Sequence, residues 1–170
     1  MEAKQTRVVL EADLSSLVMK TDIRGWVVEA DSGREIRIRN KVLGGSGRPT
    51  PFELLLISAG SCVGISIKSL VSSWRVGEKK LSDFLSRFQV IAEGTTEIGE
   101  NFWEIKEISI TVYVEVSDEA PPWNWVDFAE KAREFATRWS PVTSLISKTS
   151  RLRQRLVIKL GDLEKQVDLG

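Results

Sequence analysis

Histidine is absent from the 170 residues, and cysteine and tyrosine each occur once. Without imidazole the chain has no Ser-His-Asp triad, no Cys-His nucleophile pair and no His-Cys zinc site. One thiol can make neither a cysteine cluster nor an internal disulfide. Chemistry is left to Cys62, the carboxylates, arginine, lysine, Tyr113 and the hydroxyls, and neither a metal nor a bound cofactor is expected.

An excess of charge of one sign is lacking too. Lysine plus arginine number 24, as do aspartate plus glutamate, so no global field draws the chain to phosphate backbones or acidic lipid. Nucleic acid and membrane are therefore not expected partners. The longest apolar run, Leu54 to Ile67, is shorter than the roughly 20 residues that cross a bilayer and reads as a buried helix. The opening "MEAKQTRVVLEADLSS" does not have the basic and then apolar layout of a signal peptide. With a lone unpaired thiol, that points to the cytoplasm.

What is present is an ordinary globular composition, 42% hydrophobic and 28% charged, at the length of one domain spanning residues 1–170. The first forty residues alternate apolar and polar positions in "TRVVLEADL", "RGWVVEAD" and "REIRIRN", with "DSGR" as a hairpin turn between the last two. "GGSGRPTP" is a loop. A helix follows it, with Thr50 as N-cap, Pro51 at the first helical position and Glu53 closing a T-x-x-E capping box, and runs to about Trp74. Because it is apolar on nearly every face, it should be wrapped by sheet or by a second subunit.

A helical turn at Leu81 to Leu85 leads into a strand, a glycine-containing connection around Gly94 to Gly99 into a second, "FWEIKEISITVYVEVS". Pro121 and Pro122 open the helix "WNWVDFAEKAREFATRW", Ser140 caps a short third helix beginning at Pro141, and Arg151 to Leu160 is the last strand. The class is α+β.

The segment "SAGSCVGIS" holds Cys62. On a helix it shares a face with Ser58, Ser66 and Ser69, while Gly60 and Gly64 let another backbone come close. Free cysteine commonly packs as a small hydrophobe. About three turns inside the helix it gains nothing from the N-terminal dipole, so activation needs a cation from elsewhere.

The stretch "GGSGRPTPFELLLISAGSCVGISIKSLV", with proline, then E-L-L, then cysteine eleven positions after the proline, resembles the central helix of the OsmC/Ohr superfamily, the osmotically inducible and organic hydroperoxide resistance proteins. "WSPVTSLIS" resembles that family's second motif. The resemblance implies an OsmC-like α+β fold, with antiparallel sheets around a long buried helix in an intertwined homodimer whose sites lie at the subunit interface. It also implies a peroxidatic role for Cys62, with an organic hydroperoxide as substrate. Ser140 stands where the family has its resolving cysteine, so an external thiol would have to reduce the sulfenic acid. The family's arginine corresponds best to Arg39 or Arg48, with Arg37 also near. The acid that holds it directly follows the proline, where this chain has Phe52, which leaves Glu53 as the nearest candidate. Trp139, beside Ser140, is the candidate for an apolar substrate pocket. The missing second cysteine and the displaced acid motivate a different reading, a non-catalytic OsmC-like homodimer that binds a small apolar ligand or serves a structural role, with Cys62 as packing.

Overall fold

In the computed structural model, Thr50 and Glu53 bond reciprocally at the start of helix α1, Pro51–Ser73. The Glu53 carboxylate accepts from the Thr50 backbone N–H at 2.6 Å, and the Thr50 hydroxyl accepts from the Glu53 N–H at 3.1 Å. Two donors that the helix cannot satisfy internally are thereby closed, as the T-x-x-E spacing requires. The structure describes residues 11–12, 19–23, 26–30, 36–38, 41–43, 47–98, 103–138 and 140–170.

The chain falls into two compact units, Met1–Leu55 and Leu56–Gly170. In the first, β1 (Glu11–Ala12), β2 (Met19–Ile23) and β3 (Trp26–Ala30) form one antiparallel sheet in that order. Strands β4 (Ile36–Ile38) and β5 (Lys41–Leu43) form a separate antiparallel pair. The expected hairpin across "DSGR" is therefore not how the described strands pair. Strand β3 returns instead along β2, with Ile23 opposite Trp26. Only Arg24 and Gly25 lie between those two residues in sequence, the spacing of a two-residue hairpin connection.

The second unit opens with α1 from Leu56 onward, followed by the short hairpin β6 (Arg75–Val76) and β7 (Lys79–Lys80), then a 3₁₀ turn over Leu81–Phe84. Two strands of fourteen residues each follow, β8 (Leu85–Ile98) and β9 (Trp103–Val116). They pair antiparallel over nearly their whole length, with register shifts at Leu85/Arg87 and Thr95/Thr96. The expected break at Gly94 is absent, since Gly94 lies within β8 opposite Ile108, and residues 99–100 lie outside the described residues.

Helix α2 covers Trp125–Arg138 and begins later than Pro121. The Asn124 side-chain oxygen accepts from the Asp127 N–H at 3.2 Å and defines the start as an N-cap does. Helix α3 (Pro141–Ile146) follows, then β10 (Arg151–Leu160) and β11 (Leu163–Asp168).

Sheet order is β11-β10-β9-β8. Strand β10 runs parallel to β9, with Val157 opposite Tyr113, so the sheet is mixed where an antiparallel one was expected. The two helices between β9 and β10 carry the chain back to its starting end, which a hairpin cannot do. The edge strand β11 went unanticipated. Gly161, at φ 56, opens the two-residue loop that joins β10 to β11, a backbone conformation that glycine adopts without penalty.

One face of this sheet is mainly apolar and is buried along β9 and much of β10. Ile108, Ile110, Val112 and Val114 of β9 are buried, as are Leu156 and Ile158 of β10, together with Val63, Ile67 and Val71 of α1 and Phe128 and Ala132 of α2. Phe128 is held edge-on between Trp74 and Trp123, at centroid distances of 5.3 and 5.4 Å. Those two tryptophans thus serve packing.

Helix α1 is long and apolar enough to cross a membrane by length and composition. In this protein it lies against β8, as a core helix does. Its far side is exposed and mixed, with Ile65 66% exposed beside Ser58, Ser61, Lys68 and Ser69, and Ile57 nearer the helix start is 58% exposed. The all-round apolarity of this helix is therefore only half satisfied within one chain.

Candidate functional site

Cys62 lies between the two faces of α1 and is half-buried. On the covered side, Ala59, Gly60, Val63 and Gly64 are buried, and the two glycines bring the helix onto β8. A β-carbon on Gly60 would stand 3.2 Å from Ala92 Cβ. Once β8 meets the Gly60 and Gly64 side, the lateral position of the thiol follows, since Cys62 is one residue, about 100° of helical turn, from the buried Val63.

The expected polar stripe is uneven. Ser58 and Ser69 are exposed and Ser66 is buried. The Ser66 hydroxyl donates to the Cys62 carbonyl at 2.9 Å, which spends the serine on the helix's own backbone.

The charged candidates separate. In the first unit Arg48 is ion-paired through its Nε to Glu29 on β3, both side chains about one-third exposed. Val27, Glu29, Arg48 and Pro49 line an open cavity of about 480 Å³. Glu53, the acid expected beside the arginine, turns instead to Thr50. The Thr50 backbone N–H, and after it the Thr50 hydroxyl, hold the Glu53 carboxyl below its usual range.

Glu29 was not singled out from the sequence. Its only signal there is a carboxylate in the otherwise apolar run "WVVEA", and nothing local says which cation it meets. Arg39 and Trp139 lie outside the described residues, and of Arg37 only its backbone place in β4 is described.

Ser140 departs from the expected capping role. Its residue is 1% exposed, and its hydroxyl has no hydrogen-bond partner. The start of α3 is held by its carbonyl, which accepts from the Ser144 N–H at 3.1 Å and from the Thr143 hydroxyl at 3.0 Å. With ψ at 82°, the residue does not adopt the extended geometry from which a side chain reaches forward to the next turn. Among the described residues no group of three or more Asp, Glu, Cys or His could hold a metal ion.

A cysteine three turns into a helix that begins with a capping box, in a chain that also has a mixed four-stranded sheet and a Ser-Pro turn, is an arrangement that comparison can test. A family model for OsmC-like proteins matches residues 44–154. The chain belongs to the OsmC-like family. No curated protein matches it.

Among solved structures, a hypothetical protein from Aquifex aeolicus VF5 is 18% identical, with a TM-score of 0.64 over 94% of this chain and 98% of that one. An OsmC-like protein from Mycoplasma pneumoniae is 10% identical, with a TM-score of 0.60 over 93% and 99%. An organic hydroperoxide resistance protein from Legionella pneumophila is 11% identical, with a TM-score of 0.56 over 92% and 99%. At these identities the likeness establishes the OsmC fold. The expected α+β class and family are both found.

Proposed function

We propose that this OsmC-like protein is a thiol peroxidase for organic hydroperoxides that works through Cys62 alone and is recharged by an external thiol. What supports the reading is the one thiol of the chain, half-buried on α1, in a stretch that resembles the family's peroxidatic motif. The Cys62 thiolate attacks the terminal oxygen of ROOH. An S–O bond forms, the O–O bond breaks, and the alkoxide leaves and takes up a proton as ROH. A first external thiol condenses with the sulfenic acid, releasing water and forming a mixed disulfide. A second thiol then frees Cys62 and leaves as the external disulfide. Arg48, already paired with Glu29, or Arg39 would orient the peroxide.

A cytoplasmic homodimer is part of the same proposal. Ile57 and Ile65, exposed on α1 among serines and Lys68, are apolar side chains that a second copy would bury. A monomer by light scattering would remove the dimer from this reading.

The deciding experiment exposes reduced protein to cumene hydroperoxide with a sulfenic-acid trap and follows Cys62 by mass spectrometry. Rapid trapping, together with loss of peroxide consumption in Cys62→Ser, is the expected result. Oxidation no faster than that of free cysteine would sink the mechanism and favour the non-catalytic, ligand-binding dimer, to which the serine at position 140 already points.

A further inference from the structure

A second cavity, of about 280 Å³, opens where β9 ends and β10 turns into β11. Its apolar wall comes from Ala120, Pro121, Pro122 and Trp123, in the segment between β9 and α2, and from Leu160, the last residue of β10. Proline fixes its own φ and has no N–H, so Pro121 and Pro122 make part of that wall stiff and poor in donors. Trp123 packs edge-on with Phe128 at 5.4 Å, yet it remains half-buried. Its indole therefore keeps surface to offer the cavity that it lines.

Ser117 and Asp118 complete the lining. The Ser117 hydroxyl oxygen accepts from the Glu119 N–H at 3.2 Å and steadies the turn that follows β9. Asp118 is the one charged side chain that lines the cavity, and it is exposed. Its carboxylate fills the space that a β-carbon on Gly161 would need, and so borders the cavity beside Leu160. Among the described residues it has neither a cation nor a hydrogen-bond donor as partner. The lysines of the adjoining strands are committed elsewhere. Lys159, next to Leu160, pairs with Glu115 at 3.3 Å, and Lys79 lies over the Phe84 ring at 5.6 Å.

We propose that this cavity binds a small arylalkyl ammonium ion, its ring against Trp123, Pro122 and Leu160 and its ammonium group on the Asp118 carboxylate. An apolar wall alone takes any oily molecule, and an exposed carboxylate alone takes any cation. Side by side they select a molecule that carries both an apolar body and a positive charge. A carboxylate or phosphate ligand would meet Asp118 with like charge. The volume lies just below the roughly 300 Å³ at which ordinary small-molecule pockets begin, so the occupant is a free amine of small size. None of the residues assigned to peroxide chemistry lines this cavity, and the proposal stands or falls independently of that reading.

The test titrates phenethylammonium chloride into isotopically labelled protein and follows it by NMR, with 2-phenylethanol, sodium phenylacetate and ethylammonium chloride as counterparts. Saturable shifts of the Trp123 indole N–H and of the Asp118 and Ala120 amides are expected with phenethylammonium. 2-Phenylethanol, which keeps the ring and loses the charge, should bind about fivefold more weakly, the scale of one exposed ion pair. Phenylacetate and ethylammonium, each lacking one of the two features, should give no saturable shift. Asp118→Asn, an exposed change of nearly equal size, brings phenethylammonium down to the level of the alcohol and leaves the alcohol where it was. Pro122→Ser, which makes the wall polar, weakens both ligands alike, and the rest of each variant's spectrum reports that the fold is kept. The proposal is overturned if phenethylammonium gives no saturable shift, if phenylacetate or ethylammonium shifts the same signals as strongly, or if Asp118→Asn keeps the preference for the ammonium over the alcohol.

Discussion

A β-carbon added to Gly64 would stand 2.8 Å from Val90 Cγ2, closer than such atoms approach in real structures. Helix α1 thus sits on strand β8 at a distance that only glycine permits.

Replacing Gly64 by alanine pits two effects against each other. Helix propensity favours alanine by about 1 kcal/mol, whereas forcing a methyl group into a closed contact costs about 1–3 kcal/mol. The contact is with a stiff β-branched side chain, so the cost wins, and Gly64→Ala lowers the urea midpoint. Adding Val90→Ala opens the space. The double mutant should be more stable than the sum of the single changes by about 1 kcal/mol. Additive behaviour would mean that the helix shifts instead of clashing.

The capping box at the start of α1 makes stability depend on pH with a definite sign. The Glu53 carboxyl titrates below its ordinary value of 4.5 in the folded chain. Its contribution is therefore fully present above 4.5 and is lost as pH falls through the lower, folded value. Glu53→Gln should differ most from the parent near neutrality, and the gap should close in acid. Thr50→Ala, which removes the other half of the box, should cost about 1 kcal/mol. Thermal unfolding at several pH values checks both, and a gap that widens in acid would contradict the assignment.

Ser140 offers a test in which two structural roles predict opposite signs. If its hydroxyl capped α3, Ser140→Ala would cost about 1 kcal/mol. A buried hydroxyl without a partner instead carries an uncompensated desolvation cost, so its removal should be neutral or stabilising. We expect the second outcome in denaturant unfolding. Ser140→Cys goes further, because it puts a thiol at the family's resolving position. On the peroxidase reading, hydroperoxide then yields an internal disulfide between Cys62 and the introduced thiol, seen as the loss of two hydrogens in the intact mass.

Much of the second unit could be read from residues alone. The start of α1, just before that unit, follows from Thr50, Pro51 and Glu53, and the two long strands from simple alternation. The family follows from the spacing of proline, E-L-L and cysteine. Each of these signals lies within a few turns of chain, so it survives without knowledge of the fold. The site was less legible. Cys62 could be named, yet its half-buried place between a packed and an uncovered face depends on which side of α1 meets β8.

Tertiary structure decided the rest. Glu29 and Arg48 are 19 residues apart, and only the course of the first unit's strands makes them a pair. Strand β10 could have joined β9 in either direction, and the crossover through α2 and α3 made it parallel. Ser140 has the residue type and the neighbouring proline of an N-cap, but its burial and backbone angle leave the hydroxyl unbonded. Periodicity and capping are set by neighbours along the chain. Pairing, burial and the fate of a single polar atom are set by neighbours in space, which the order of residues does not list.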